Sequence, residues 1–358
     1  MADYKVIPYS KEYLTGVRAL WEEQYEAADV KRREVLFKWF TEGNPFLKDE
    51  SPYFIVLDGD TVVGLWGHMP VTYSVKGKRY DGYMSQDALL SKRSRGKGIG
   101  KIVLREIKAQ RDGFAGALWF NEPNFRLYSK CGWLEVPGLH PQVKIIKPLK
   151  YFKQKLNSKF LSIFFMIVFS GVNFATKINK LFLPSKKKYR IVETNYFSNE
   201  FDYFFNSISY YFGIIVFRDS QYLNWKFVDK PFNRYRRFVA YDSRGELCGY
   251  IVFKVENKGL FPKGKILDFL VNPEKQAVFD LLINQALDTF SDSEVHFVEI
   301  LCTLTKFRTI LNKRGFISSR KPQRFMVNNW DGLFSEALGR NIHDWFITFA
   351  DADGDAWD

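Results

Sequence analysis

The chain has 358 residues, of which 46% are hydrophobic and 18% aromatic, and its formal net charge is +13. This length predicts two domains, and the composition is sufficient for two sizeable cores. The three cysteines, Cys131, Cys248 and Cys302, are isolated from one another, which excludes a disulfide framework and a zinc site and indicates a reducing, cytoplasmic environment.

The positive charge is concentrated in one segment. Between Val136 and Val192 there are twelve basic residues and no acidic one, so the rest of the chain carries a net charge of only +1. Two nearly neutral bodies joined by a basic segment do not form a general nucleic-acid-binding face. We therefore expect no nucleic-acid partner.

The apolar pattern of the first half predicts helices, strands and a glycine-rich loop in a defined order. Two helices are expected over residues 11–27 and 31–41, and strands within 53–74 and 80–91. A helix is expected over 99–112 and a further strand over 114–120. Residues 133–136 and 142–146 are expected to complete the same sheet. This pattern predicts an α/β fold (α+β in some schemes), with a mixed twisted sheet flanked by helices.

The glycine-rich loop follows the strand predicted within residues 80–91 and contains the pattern Arg95-x-x-Gly98-x-Gly100. Glycines let the backbone approach a ligand, and a helix N-terminus presents free N–H groups, so this loop is suited to binding phosphate. Its spacing differs from Gly-x-x-x-x-Gly-Lys-Ser/Thr and from Gly-x-Gly-x-x-Gly, which excludes the Walker A and dinucleotide loops. The loop indicates a different diphosphate-bearing cofactor.

A second motif follows the strand predicted over 114–120. Asn121 precedes Tyr128 by seven residues, and the sequence then continues with a Lys-x-Gly-aromatic pattern that ends at Trp133. Taken together and in this order, the two motifs resemble the acyl-CoA-binding signatures of the GNAT superfamily of N-acyltransferases.

This resemblance implies acetyl-CoA, or another acyl-CoA, as co-substrate and no metal. The cofactor contacts that it implies come from Leu89, Leu90, Arg95, Gly96, Lys97, Gly98, Ile99, Gly100, Lys101, Asn121 and Asn124. It also implies that Tyr128 protonates the departing thiolate, while backbone N–H groups near Leu89 and Leu90 stabilise the oxyanion.

Asp87 is the second candidate catalytic residue, because it lies on the strand before the loop, where the family often carries a polar group aimed at the acceptor. An ion pair with Lys92 or Arg93 is the alternative role for Asp87. Glu122 and His68 are further candidates for the base.

The chain also contains an internal repeat. A strand–turn–strand pattern over 53–64 recurs over 237–249, and a helix-end pattern over 127–133 recurs over 310–316. The two features are separated by 80 positions in the first copy and 79 in the second. They predict two copies of one fold, with chance similarity of common turns as the alternative.

The second copy differs from the first where chemistry is expected. Residues 270–279 lack the glycine pattern, Glu274 places a negative charge where a diphosphate would lie, and Leu311 stands where the first copy has Tyr128. We therefore expect no acyl-CoA there. The prediction is two tandem GNAT-like folds: an acyl-CoA-binding domain over 1–148, a basic and apolar helical linker over 149–188, and a degenerate domain over 189–358.

The end of the second copy is expected to contain a possible edge strand over 345–349 and an acidic tail. The tail carries Asp351, Asp353, Asp355 and Asp358. It lacks the closing glutamate of a calcium loop, so these carboxylates are expected to be solvated.

Within the linker, residues 160–176 carry no charge and are flanked by lysines. We favour contact between residues 144–190 and an anionic membrane surface, at the inner face of the membrane. An interdomain helix packed on the protein and a true membrane span are the alternatives.

The tandem arrangement and the stretch around Arg218, Tyr222 and Trp225 resemble bacterial acyltransferases of polysaccharide and cell-envelope assembly. The resemblance implies an N-acetyltransferase that uses acetyl-CoA to acetylate a primary amine, such as an amino sugar that is a small molecule or lipid-linked. Two other classes remain open: a Fem-like aminoacyl-tRNA-dependent peptidoglycan transferase and a non-catalytic acyl-CoA-binding envelope-assembly protein.

Overall fold

The computed structural model describes residues 4–48, 50–111, 113–156, 158–181, 188–232, 234–257, 261–329 and 339–351. The first unit consists of β1 (Tyr4–Pro8), α1 (Leu14–Glu22), α2 (Ala27–Glu42), β2 (Tyr53–Asp58), β3 (Thr61–Val75), β4 (Lys78–Leu90), α3 (Ile99–Gln110), β5 (Phe114–Leu118), α4 (Glu122–Lys130), β6 (Leu134–Glu135) and β7 (Gln142–Ile145). The linker consists of α5 (Pro148–Lys155) and α6 (Lys159–Leu181).

The second unit repeats the element order of the first, with one additional strand between its first two helices and another at its end. It consists of β8 (Tyr189–Glu193), α7 (Glu200–Ile208), β9 (Ile214–Val216), α8 (Ser220–Phe227), β10 (Arg236–Asp242), β11 (Leu247–Glu256), β12 (Lys263–Val271), α9 (Gln276–Ser291), β13 (Phe297–Ile300), α10 (Thr305–Lys313), β14 (Ile317–Ser318), β15 (Phe325–Asn329) and β16 (Trp345–Phe346).

Both sheets follow the same path. The first sheet has the order β1-β2-β3-β4-β5-β15-β6, and the second has β8-β10-β11-β12-β13-β7-β14. Along each path, the described strands form one parallel pair. It is β4 with β5 in the first sheet and β12 with β13, at the equivalent place, in the second. The predicted mixed sheets flanked by helices, built as two copies of one fold, are confirmed.

The two units exchange one strand each. β15 lies between β5 and β6, and β7 lies between β13 and β14. The expectation that residues 142–146 complete the first sheet is therefore wrong, because alternation specifies a strand but not the sheet that it joins. The exchanged strands cross the domain boundary predicted at residue 148, so each sheet needs residues from both halves of the chain.

Each face of the first sheet packs against a different core. Beneath α3 and α4, a small cluster includes Trp66, Val103 and Tyr128. The opposite face belongs to a large cluster that continues through the second unit, where Trp39 of α2 stacks on Trp225 of α8 with ring centroids 4.5 Å apart. Because this core is shared, the orientation of the two units is set by buried apolar contact.

The C-terminal segment, residues 339–351, is also built into this shared core. β16 pairs with β9, which in turn pairs with β3 beyond the end of β2. Asp351 is buried and lies 2.7 Å from the guanidinium of Arg218, which also contacts Asp268. The expectation of a solvated Asp351 is wrong, since an ion pair with a buried arginine compensates its charge. Asp353, Asp355 and Asp358 lie outside the described residues.

Candidate active site

The candidate site begins where β4 and β5 separate. Their parallel pairing ends at Ser85 and Ala117, although β4 continues to Leu90. Immediately beyond this point, a β-bulge places Asp87 and Ala88 opposite the single residue Trp66 of β3. Asp87 has a φ of 47°, which is a strained conformation for a residue other than glycine. The bulge and the loss of pairing open a cleft along the outer part of β4.

The cleft has a volume of about 820 Å³, which suits a small-molecule ligand. Its lining comes from β3, β4, the glycine-rich loop, α3, α4 and the loop after α1. The lining residues are Gln24, Tyr25, Trp66, Ala88, Leu89, Leu90, Ser94, Arg95, Gly96, Gly98, Ile99, Gly100, Lys101, Asn121, Pro123, Asn124, Arg126, Leu127 and Lys130. Four of these side chains are basic and none of those described is acidic, which favours a polyanionic ligand.

The glycine-rich loop gives the cleft an accessible backbone. Gly96 and Gly98 have φ angles of 77° and 78°, and Gly98 caps the N-terminus of α3. A Cβ at either position would meet no heavy atom within 4 Å, so the loop faces open space. Gly100 has a different role, because a Cβ there would overlap the side chain of Leu127 and separate α3 from α4. The first-turn N–H groups of α3 therefore lie at the cleft, where they can bind an anion.

Tyr128 is buried beside Trp66, which lines the cleft, and does not itself belong to the lining residues. Asn121 begins α4 as its N-cap, with its side chain accepting a hydrogen bond from Asn124 N at 2.9 Å. Two turns later, the buried Tyr128 hydroxyl accepts a hydrogen bond of 2.9 Å from Trp66 Nε1 and lies 2.6 Å from Ser85 Oγ. Burial raises the pKa of Tyr128 to about 12, so the phenol carries its proton at neutral pH.

The proton of Tyr128 is available for transfer when Ser85 is the donor in the contact between the two hydroxyls. The indole of Trp66 can only donate, whereas a hydroxyl can donate once and accept twice. When Ser85 donates to Tyr128, both acceptor sites of the phenol are filled and its own O–H is free to point toward a ligand. This arrangement suits an acid at the point where the two strands diverge.

Asp87 forms an ion pair with a residue of α2. Its carboxylate lies 3.4 Å from Arg33, and the Arg33 guanidinium lies 3.7 Å from the centre of the Tyr25 ring. Tyr25 lines the cleft, and burial is the main reason that its pKa is raised. Arg33 is thus an ion-pair partner of Asp87 that the sequence did not indicate; Lys92 and Arg93 are the partners that the sequence suggests for its alternative role.

Like Asp87, the other two candidate bases lie outside the set of residues that lines the cleft. Glu122 is exposed, and its hydrogen bond with Arg126 together with the nearby Arg324 lowers the pKa of its carboxyl. His68 is buried beside Tyr83, and burial with the charge of Arg111 lowers its pKa to about 3. His68 is therefore neutral at pH 7 and buried, and the Glu122 carboxylate is paired with Arg126 and Arg324.

The structure brings together ten of the eleven cofactor-binding residues expected from the sequence. Lys97 is the exception, because it is exposed and does not line the cleft. The site also contains residues that the motifs did not indicate: Gln24, Tyr25, Arg33, Trp66, Ser85 and Ala88. They lie on elements distant in sequence, so only the folded arrangement identifies them.

The equivalent place in the second unit is filled by the chain itself. Pairing of β12 with β13 ends at Ile266 and Ile300, and the C-terminal segment enters beyond this point. Thr303 Oγ1 donates to the Trp345 carbonyl and accepts from Ile347 N, and Thr348 Oγ1 donates to Asp268 Oδ1 at 2.8 Å. These contacts fill the space beyond the end of the β12–β13 pairing with residues of the C-terminal segment.

Glu274 lies at the equivalent loop and is paired with Lys306 at 2.6 Å. Among the residues that the structure describes, no group of three or more His, Cys, Asp or Glu side chains could hold a metal ion.

Residues 14–133, from α1 to the residue before β6, match the family model described as "Acetyltransferase (GNAT) family". The chain therefore contains a GNAT acetyltransferase domain, and this domain includes the whole cleft. No curated protein matches the sequence significantly.

Solved structures resemble both units together. A GCN5-related N-acetyltransferase from Anabaena variabilis is 13% identical, with a TM-score of 0.62 over 92% of this chain and 73% of that one. A probable N-acyltransferase from Enterococcus faecalis is also 13% identical, with a TM-score of 0.59 over the same shares of the two chains. N-myristoyltransferase from Saccharomyces cerevisiae, solved with bound myristoyl-CoA, is 13% identical, with a TM-score of 0.55 over 91% of this chain and 78% of that one. At these identities the likeness shows the fold.

Proposed function

We propose that this protein is an N-acetyltransferase that transfers the acetyl group of acetyl-CoA to a primary amine. The observation that carries the proposal is the position of the Tyr128 hydroxyl, at the divergence of β4 and β5 and in hydrogen-bond contact with Trp66, which lines a basic, glycine-containing cleft. A long polyanionic cofactor can place its diphosphate at the loop and its thioester near this hydroxyl.

The diphosphate is proposed to bind the N-terminus of α3. Backbone N–H groups of the loop and the cations Arg95 and Lys101 would hold its oxygens. The guanidinium of Arg95 is already positioned by Leu90 O, at 3.2 Å, and by the side chain of Gln24.

The oxyanion is proposed to be stabilised by backbone groups of β4. Ser91 N donates to Val63 O on β3, and Leu90 O accepts from Gln24 and Arg95 on the opposite side. Because backbone groups alternate between the two sides of a strand, the N–H groups of Ala88 and Leu90 point away from β3, toward the cleft. This assigns the donors to Ala88 and Leu90, whereas Leu89 N–H points toward β3.

The chemical step is proposed to proceed by direct attack of the neutral amine on the thioester carbonyl. The tetrahedral intermediate collapses with cleavage of the carbon–sulfur bond, and Tyr128 gives its proton to the thiolate of CoA. Asp87 is proposed to receive the amine proton or to orient the amine, since its carboxylate lies at the bulge beside the cleft residue Ala88. The proton gained from the amine balances the proton lost from Tyr128, and solvent exchange restores both groups.

The acceptor is proposed to be an amino sugar used in polysaccharide or cell-envelope synthesis, on the resemblance described above. The test is release of free CoA from acetyl-CoA by the purified full-length protein in the presence of a panel of nucleotide-linked amino sugars and simple amines. We expect amine-dependent release and an acetylated product. Binding of acetyl-CoA without release by any amine would instead support a non-catalytic acyl-CoA-binding protein, and absence of binding would reject the proposal.

A further inference from the structure

The outer face of α6 is apolar, and no described part of the chain covers it. Phe160, Ile167 and Phe174 are 79%, 62% and 68% exposed. The same face includes Leu161, Ile163, Phe164, Val168 and Val172. Soluble monomers rarely expose a continuous apolar surface of this extent without a binding function. By length and composition the segment Lys159–Thr176 could span a membrane, and none of it is buried.

The inner face of α6, in contrast, packs on the protein. The rings of Phe165 and Phe169 lie 5.4 and 5.3 Å from that of Phe152 on α5. Further along, Asn173 Nδ2 donates to the Ile145 carbonyl at 3.0 Å. The helix therefore lies along the second unit and has one face available.

The connections of the linker argue against a membrane span. β7 precedes α5 and β8 follows α6, and both strands belong to the second sheet. Both ends of the linker thus return to one folded body. A spanning helix would also place the Asn173 contact in the hydrocarbon region and remove the packing on α5.

The lysines of this region divide into a group that is buried or ion-paired and a group that is exposed, of which Lys155 also donates a hydrogen bond to the Tyr151 hydroxyl at 2.6 Å. Lys144 is buried and donates to Arg314 O at 2.6 Å, and Lys147 and Lys150 pair with Glu294. Lys153, Lys155 and Lys159 are exposed at the junction of α5 and α6, beside the exposed Phe160. The sequence places further lysines after residue 176 and no acid from 136 to 192. Cations at both ends of an apolar face complement an anionic lipid surface.

We propose that α6 docks in the interface of an anionic membrane, with its outer face among the acyl chains and its flanking lysines at the headgroups. This inference does not depend on the acyl-transfer reaction. It predicts that lipid binding requires both apolar side chains and positive charge, since each contributes to the binding of an interfacial helix.

The experiment is flotation of the full-length protein with phosphatidylcholine vesicles, with and without phosphatidylglycerol, at low and high salt. We expect binding to the anionic vesicles and weakening by salt. The double variant Phe164→Ser/Ile167→Ser is expected to reduce binding at least about tenfold, and Lys153→Glu/Lys159→Glu is expected to do the same on anionic vesicles. The matched control, Tyr196→Ser/Tyr203→Ser, removes two exposed aromatic side chains elsewhere and is expected to bind like the wild type.

Circular dichroism would verify that every variant is folded. Equal flotation of wild type and Phe164→Ser/Ile167→Ser, or no flotation of the wild type, would overturn the proposal. A concentration-dependent dimer that this double variant abolishes, in a protein that does not bind vesicles, would identify a second copy as the occupant and would also overturn it.

Discussion

The hydroxyl of Tyr128 lies 2.6 Å from the hydroxyl of Ser85, the last residue of β4 that pairs with β5. This contact joins α4 to the sheet at the point where the two strands separate. The proposed acid is consequently anchored at the point where β4 and β5 separate, and its proton is available when Ser85 acts as the donor.

Replacing Tyr128 by phenylalanine tests the role of its proton. We expect Tyr128→Phe to lower kcat by about 100-fold, because general acid catalysis contributes on that scale. The KM for acetyl-CoA should change little, since the diphosphate contacts remain. The measurement is steady-state kinetics with detection of free CoA, and Tyr203→Phe, an exposed tyrosine on α7, is the control. An unchanged kcat would show that the thiolate leaves without help from Tyr128.

Asp87 is tested by an isosteric change. Asp87→Asn keeps the size of the side chain and removes its charge, so we expect kcat to fall at least about tenfold while the affinity for acetyl-CoA is retained. Arg33→Met would release Asp87 from its ion pair, and a smaller loss of kcat is expected because the carboxylate itself remains. The separate measurements are kcat with the acceptor and equilibrium binding of acetyl-CoA. Loss of acetyl-CoA binding in Asp87→Asn would assign the residue a structural role only.

Two glycines of the loop should respond differently to alanine. At Gly100 a Cβ would overlap Leu127, so Gly100→Ala should separate α3 from α4 and destabilise the fold by about 1–3 kcal/mol. Gly96→Ala meets no neighbouring atom but adopts a positive φ, and a cost of about 1 kcal/mol is expected. Urea unfolding with and without acetyl-CoA would separate the two effects. Equal stability of the two variants would contradict the close packing of α3 on α4.

The buried charges at the C-terminal segment should be essential for stability. Arg218→Met leaves Asp268 and Asp351 buried without their arginine, which should cost about 3–5 kcal/mol. The double variant Arg218→Met/Asp351→Asn removes one of these uncompensated charges and should recover part of the loss. Urea unfolding measures both. A loss below about 1 kcal/mol in Arg218→Met would show that the segment does not close the second unit.

Lys144 gives the folded protein a characteristic pH dependence. Burial and the nearby charge of Arg314 lower the pKa of Lys144 from 10.5 to about 8. Between these values the unfolded state binds more protons, so this residue makes the folded state more stable as pH rises from 8 to 10.5, by up to about 3 kcal/mol. Below pH 8 Lys144 is charged in both the folded and the unfolded state, and the full free-energy cost of burying its charge remains. The free energies of unfolding of the wild type and Lys144→Met, measured across this range, should therefore differ by an amount that changes with pH. If this difference did not change with pH, the pKa of Lys144 would be the same in the folded and unfolded states, which is the behaviour of a lysine in solvent.

Much of the first unit could be predicted from local pattern. The Arg95–Gly100 loop, Asn121 and Tyr128 are close in sequence, and each belongs to a short motif with a physical role. The repeat was visible for the same reason, since the turns after residues 58 and 242 and the helix ends at Gly132 and Gly315 are local features. These features can be recognised in the sequence because each depends on local backbone conformation and not on contacts with distant segments.

The remainder depends on contacts between distant segments. Nothing local in Gln142–Ile145 indicates that it joins the second sheet, because alternation is equally compatible with either. The sequence pattern assigns Asp351 to a charged tail, and only Arg218, 133 positions away, explains its burial. Likewise, Trp66, Ser85 and Arg33 complete the site through pairings that no single motif contains.

The most direct test is a structure of the full-length protein with acetyl-CoA, together with binding stoichiometry from titration calorimetry. We predict one acetyl-CoA per chain, with its diphosphate at Arg95–Lys101 and its sulfur within hydrogen-bonding distance of the Tyr128 hydroxyl. Acetyl-CoA bound between β12 and β13, two molecules per chain, or a sulfur remote from Tyr128 would contradict the proposed site.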